Sequence, residues 1–241
     1  MKNLKNLLII IISISVVSCS NDSSNDTIGE TQAITEEEAV EIVEASLAEE
    51  SAGLSETIFK YAKTYEEETS RNIQCNETVT DNYNFTHNGT LVQANYNYNW
   101  EFTVGCNQFN IPQIATFTAT GEGTYTTQRI QSDDTTSFTA TLTGLQPTSP
   151  DIVYAGSFLR SGSQQITTNQ RNQNISSVFR SNFTDLTVSK SDFTIDSGSG
   201  NFSLFGTNNG EDFDYEGTLI FNGDNTATLI INGNEYTINL R

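Results

Sequence analysis

Residues 92–104 read Val-Gln-Ala-Asn-Tyr-Asn-Tyr-Asn-Trp-Glu-Phe-Thr-Val. Val92, Ala94, Tyr96, Tyr98, Trp100, Phe102 and Val104 are apolar or aromatic, and every residue between them is Gln, Asn, Glu or Thr. Side chains alternate between the two faces of a strand, so this period of two describes an antiparallel strand with one face on a core and the other in water. Asn88-Gly89, just before it, is the dipeptide favoured in tight hairpins. A two-residue turn there pairs Phe85 with Val92 and Tyr83 with Ala94, which brings the apolar faces of both strands to one side.

Working outward toward the C-terminus, the alternation recurs. Phe138, Ala140 and Leu142 share a face, as do Ile175, Ser177, Phe179 and Ser181. Further faces follow in Phe213, Tyr215, Gly217, Leu219 and Phe221, in Ala227, Leu229 and Ile231, and in Tyr236, Ile238 and Leu240. Asn222-Gly223-Asp224-Asn225 and Asn232-Gly233-Asn234 join the last three as hairpins, and Pro147 and Pro150 mark an irregular loop. The pattern predicts a mainly β fold, an antiparallel meander of about ten to twelve strands. Strand–helix alternation of the kind that builds parallel sheets is missing. So many strands with one apolar face are expected to curl into a barrel, half-barrel or sandwich.

Toward the N-terminus the period changes to that of a helix. Thr35 and Glu38 have the spacing of a capping box, and Glu36, Glu37 and Glu38 suit the positive end of a helix dipole. Ala39, Val40, Val43 and Leu47 then fall on one face, and Gly53 is a plausible stop. Leu54, Ile58, Tyr61, Ala62 and Tyr65 form the stripe of a second helix. Two short amphipathic helices are not stable alone, so the pair is expected to pack on the β domain.

The chain begins with Lys2 and Lys5, then an apolar stretch from Leu7 to Val17 broken only by Ser13 and Ser15. At ~1.5 Å per residue this stretch covers roughly half of a bilayer core, which suits an export signal and not a membrane span. It ends in Val16-Val17-Ser18-Cys19, which resembles the lipobox of bacterial lipoproteins. The resemblance implies cleavage after Ser18 and lipid on Cys19. The chain then divides into a signal peptide (1–18), a lipidated tether (19–33), a helical hairpin (34–69) and a β domain (70–241). Ser20, in place of an aspartate, favours the outer membrane. The Asn/Asp-rich stretch after Cys19 and the Asn/Thr/Gly-rich β region resemble surface-exposed lipoproteins of flavobacteria-like Bacteroidota.

Three cysteines are present. With Cys19 lipidated in an oxidising compartment, Cys75 and Cys106 are expected to bond. The two-residue turn at Asn88-Gly89 places Cys75 opposite Phe102, four residues short of Cys106, an offset of ~13 Å. A disulfide then requires a bend or bulge at Gly105, or departure of the Cys75 segment from the ladder; the bend is the preferred reading.

Eleven basic residues face 30 acidic ones, a net charge of −19, which becomes −21 once Lys2 and Lys5 leave with the signal. Such acidity argues against nucleic acid as a partner and against electrostatic attachment to anionic lipid. Attachment to the membrane falls to the lipid on Cys19. Catalysis finds little support: His87 is the single histidine, and with no spare thiol neither a triad nor a zinc site can be assembled. No cofactor is implied.

The candidate sites are few. Tyr96, Tyr98 and Trp100 form a row that would stack on sugar rings if exposed and belongs to the core if not. Asp212, Asp214 and Glu216 share one strand face and are a candidate metal cluster. Thr27 in Asp26-Thr27-Ile28 and Thr135 in Asp134-Thr135-Thr136 resemble Bacteroidota O-glycosylation motifs. Threonines 116, 118 and 120, with 139, 141 and 143, form ladders. The expected function is a non-catalytic outer-membrane lipoprotein with a binding or structural role, its partner a glycan or another outer-membrane protein. The alternatives are a glycan-binding accessory protein of a nutrient-uptake system and a LolA-like carrier of an apolar ligand.

Overall fold

The computed structural model describes residues 33–69, 75–167 and 172–241. The signal segment, Cys19 and Thr27 lie outside the described residues. Among the described residues two helices, α1 (Glu36–Leu47) and α2 (Leu54–Thr69), precede ten strands. The strands are β1 (Thr78–Asn88), β2 (Gln93–Cys106), β3 (Pro112–Thr126), β4 (Ile130–Thr143), β5 (Asp151–Thr167), β6 (Asn172–Ser189), β7 (Ile195–Asn208), β8 (Glu211–Gly223), β9 (Thr226–Ile231) and β10 (Asn234–Asn239). They form one antiparallel sheet in chain order from β1 to β10, and the sheet is not closed into a barrel.

The capping box forms: Thr35 Oγ1 accepts from Glu38 N at 3.3 Å, and Glu38 Oε2 accepts from Thr35 N at 2.9 Å. Ala39, Val43 and Leu47 of α1 are buried together with Ile42, and all five stripe residues of α2 are buried. Gly53 does not stop α1, which ends at Leu47. A six-residue turn intervenes, and Gly53 is its last residue, where an added Cβ would lie 2.6 Å from Ser46 O and 2.7 Å from Ala48 O. Glycine is needed there for close backbone approach. Helices and sheet share one core, so the expected hairpin and β segments pack as one body.

Hydrogen bonds to the interhelical turn reveal the curl of the sheet. Tyr98 of β2 donates its hydroxyl to Ala52 O at 2.9 Å, while Glu49 N donates to Leu240 O, just beyond β10, at 2.8 Å. In a flat sheet β2 and β10 would stand about 38 Å apart, eight strand spacings. Glu49 and Ala52 can be separated by no more than about 11 Å. The sheet therefore wraps around the helical hairpin, and its inward face is the core.

The register of β1 on β2 differs from the expected one. Tyr83 pairs with Tyr98, Phe85 with Tyr96 and Asn88 with Gln93. The connection is four residues, Gly89–Val92, and Gly89 does not take the positive φ that a two-residue turn of this type requires. The correction also explains the disulfide. Continued past Thr78↔Thr103, the observed register sets Cys75 opposite Cys106, so the four-residue offset disappears. The bridge is present with a Cα–Cα distance of 5.5 Å. The register does shift between Gly105 and Cys106, but on the β3 side of β2, and β1 itself begins only at Thr78.

A candidate binding cleft at the helical turn

The aromatic row belongs to the core. Tyr96, Tyr98 and Trp100 point inward, and Trp100 is 7 % exposed. Trp100 stacks on Phe102, which stacks on Phe117 with centroids 4.8 Å apart, and Tyr61 of α2 covers Phe117 at 5.0 Å. Tyr61, Tyr65, Phe102, Phe117, Tyr154 and Phe158 are all buried in the space between helices and sheet. Sugar stacking on this row is thus excluded in the folded chain, since its ring faces are already covered.

Beside the row lies a buried polar cluster that the sequence pattern did not single out. Arg160 of β5 donates from Nη1 to Ala45 O at 2.7 Å, and from Nη2 to Ser51 O at 2.7 Å and Ala52 O at 3.0 Å. Its Nε stands 3.3 Å from Asp134 Oδ1, close enough for an ion pair but not aligned as a hydrogen bond. Asp134 in turn accepts from the Tyr96 hydroxyl at 2.8 Å and the Ser132 hydroxyl at 2.7 Å. The guanidinium lies between the rings of Tyr96 and Tyr125, 5.3 and 5.0 Å from their centroids. One carbonyl from the last turn of α1 and two from the interhelical turn thus end on one sheet cation, which latches the hairpin to the sheet. The signal was available in part: Asp134 shares the inward parity of Phe138, Ala140 and Leu142, where a charge is out of place.

A second buried acid sits on α2. Burial, helped by Glu49 and opposed by Lys60, pushes the Glu56 carboxyl up to about 8, so it is mostly neutral near pH 7.

The other candidates stay apart. Asp212, Asp214 and Glu216 project outward from β8, all exposed, opposite Thr207, Phe205 and Ser203 of β7. Alternate residues of a strand lie ~6.6–6.8 Å apart along it, too wide for three ligands of one ion. Among the described residues no group of three or more His, Cys, Asp or Glu side chains is placed to hold a metal. Thr135 faces outward and its hydroxyl donates to Ser161 O at 3.3 Å, while Asp134 of the same motif is buried on the other face. An enzyme reading both residues would meet them together only in the unfolded chain. The threonine ladders do form on the outward face, Thr116 beside Thr141 and Thr118 beside Thr139. His87 points inward and is half-buried, its Nε2 3.7 Å from Glu50 Oε1.

Two of the concavities among the described residues bear on binding. On the outward face, a polar trough of about 610 Å³ runs across β1–β4 between Thr80, Glu101, Thr118 and Thr139 on one side and Asn82, Asn99, Thr120 and Ser137 on the other. At the helical turn, a cleft of about 340 Å³ opens between α1, the β1–β2 and β3–β4 connections and the C-terminal residues. Its apolar lining is Ala45, Ala48, Val92 and Ile130 with Leu91 at the lip, and its rim carries Glu41, Glu44, Glu50, Arg129 and Arg241. No local sequence pattern marks this cleft, because it joins segments from both ends of the chain. An apolar floor with a few converging polar groups is the usual makeup of a binding site. No family model matches this chain, and neither the curated proteins nor the solved structures contain a significant match to it.

Proposed function

We propose that this chain is a non-catalytic lipoprotein, anchored in the outer membrane through lipid on Cys19, which acts by binding or scaffolding through its surface. One observation supports the surface role above the alternatives: the chain's own helical hairpin fills the concave face of the sheet. A carrier of apolar cargo needs that space for its ligand, and here Tyr61, Tyr65 and their aromatic neighbours occupy it. Glycan recognition through Tyr96, Tyr98 and Trp100 fails for the same reason. A glycan reading survives only on the outward trough, whose Asn and Thr side chains offer hydrogen bonds but no aromatic platform.

The anchor is tested by replacing Cys19 with Ala in cells fed labelled palmitate. The native chain should carry label and sediment with outer membranes. The variant should lose both, and a variant that keeps its label would refute the assignment.

A further inference from the structure

The cleft at the helical turn has a composition that selects for charge. Leu91 is 60 % exposed on its lip, a leucine uncovered beside Val92, Ala45 and Ala48. Both cations of the rim are already engaged, Arg129 with Glu41 and Arg241 Nε with Glu49 at 2.9 Å. The carboxylates of Glu44 and Glu50 are not neutralised in this way. Glu44 accepts from the Asn239 main-chain N–H at 3.0 Å, and Glu50 has His87 at 3.7 Å. An aliphatic floor next to two such acids complements a side chain with an apolar stem and a cationic head.

We propose that this cleft docks a lysine- or arginine-bearing apolar segment of a partner protein, the stem on Leu91 and Val92 and the head at Glu44 and Glu50. The inference rests on the surface-binding part of the proposed function and is independent of Cys19. The cleft is open to solvent, so a free amine in it would stay largely wet, whereas good small-molecule sites enclose most of their ligand. A side chain presented by a protein is instead sealed by the surface that carries it. The net charge of −19 steers a basic partner toward the chain, and the cleft gives it a place to dock.

The test uses the full chain in solution and a fluorescent, end-blocked octapeptide of alternating leucine and lysine, read by anisotropy. The same peptide with glutamate for lysine should not bind, and free cadaverine should compete at least about tenfold more weakly than unlabelled peptide. Glu44→Gln with Glu50→Gln should weaken the peptide about tenfold, and so should Leu91→Asn, whose exposed position leaves folding intact. Glu211→Gln with Asp224→Asn removes the same charge elsewhere and should change affinity by less than about twofold. An equal loss in that control pair would reduce the effect to diffuse attraction and overturn the site. Unchanged affinity in the cleft variants would overturn it too. Cadaverine competing as well as the peptide would overturn the protein partner in favour of a small-amine site.

Discussion

The last strand, β10, runs beside α1, whose Glu36 carboxylate accepts from Asn232 and Asn234 at 2.8 Å and from the Tyr236 hydroxyl at 2.6 Å. Glu44 of the same helix takes the Asn239 main-chain N–H, a donor that an edge strand would otherwise hold out to another chain. The first strand, β1, is finished differently. Among the described residues its backbone ladder runs to β2 alone, and its inward residues Val79, Tyr83 and Phe85 are only half-buried. What guards it is local. Asp81 occupies the inward, apolar parity opposite Trp100, where any added strand would have to cover a charge, and the Cys75–Cys106 bridge ties down the chain just before it. One edge is covered by packing, the other defended by a charge and a covalent bond. The same helix that fills the core also seals β10, which explains why α1 carries acids on the side that meets that strand.

The hairpin is the larger of the two protections, and Arg160 fastens it. Arg160→Ala should cost about 3–5 kcal/mol in urea denaturation, since it strands Asp134 and three carbonyls of the helical hairpin in the interior. A loss under about 1 kcal/mol would mean that apolar packing alone holds the hairpin. Removing the bridge with Cys75→Ser and Cys106→Ser comes next, at about 3–4 kcal/mol for a loop of this length. The loss should be uneven: amide exchange should accelerate in Thr78–Asn82 and change little in β10. Equal acceleration at both edges would break the distinction between them.

How much of this was readable in the sequence depends on the range of the interaction. Alternation in residues 92–104 identified β2 and its buried face, and Thr35 with Glu38 identified the start of α1, because both signals are local. The register of β1 was not readable from Asn88-Gly89. A turn preference competes there with the stacking of Tyr83 on Tyr98, centroids 4.8 Å apart, and with the disulfide that the four-residue connection permits. Non-local contacts won. Arg160 and Asp134 illustrate the same limit: each sits at an inward position, but the carbonyls that Arg160 holds come from residues more than 100 positions earlier. The cleft has no sequence signature, since residues from 41 to 241 line it.

The smallest expected effects separate the two edges most cleanly, by placing opposite changes on each. Glu36→Ala removes a half-buried carboxylate that gathers three donors and is held below the usual carboxylate range, chiefly by the Tyr236 hydroxyl. Solvent screens these bonds, so the cost should be only about 1 kcal/mol. It should appear as faster amide exchange in β10 with no change in assembly, because the body of α1 still covers that edge. Asp81→Val makes the contrary change. It touches no hydrogen bond of the core, restores the apolar alternation of Val79, Tyr83 and Phe85, and should leave stability within about 0.5 kcal/mol. With the charge gone, the open edge of β1 becomes a template for pairing, and light scattering after size-exclusion chromatography should detect assemblies that the native chain does not form at the same concentration. The reverse pattern, association in Glu36→Ala and none in Asp81→Val, would show that the helix is the guard against pairing and that the charge at Asp81 is incidental.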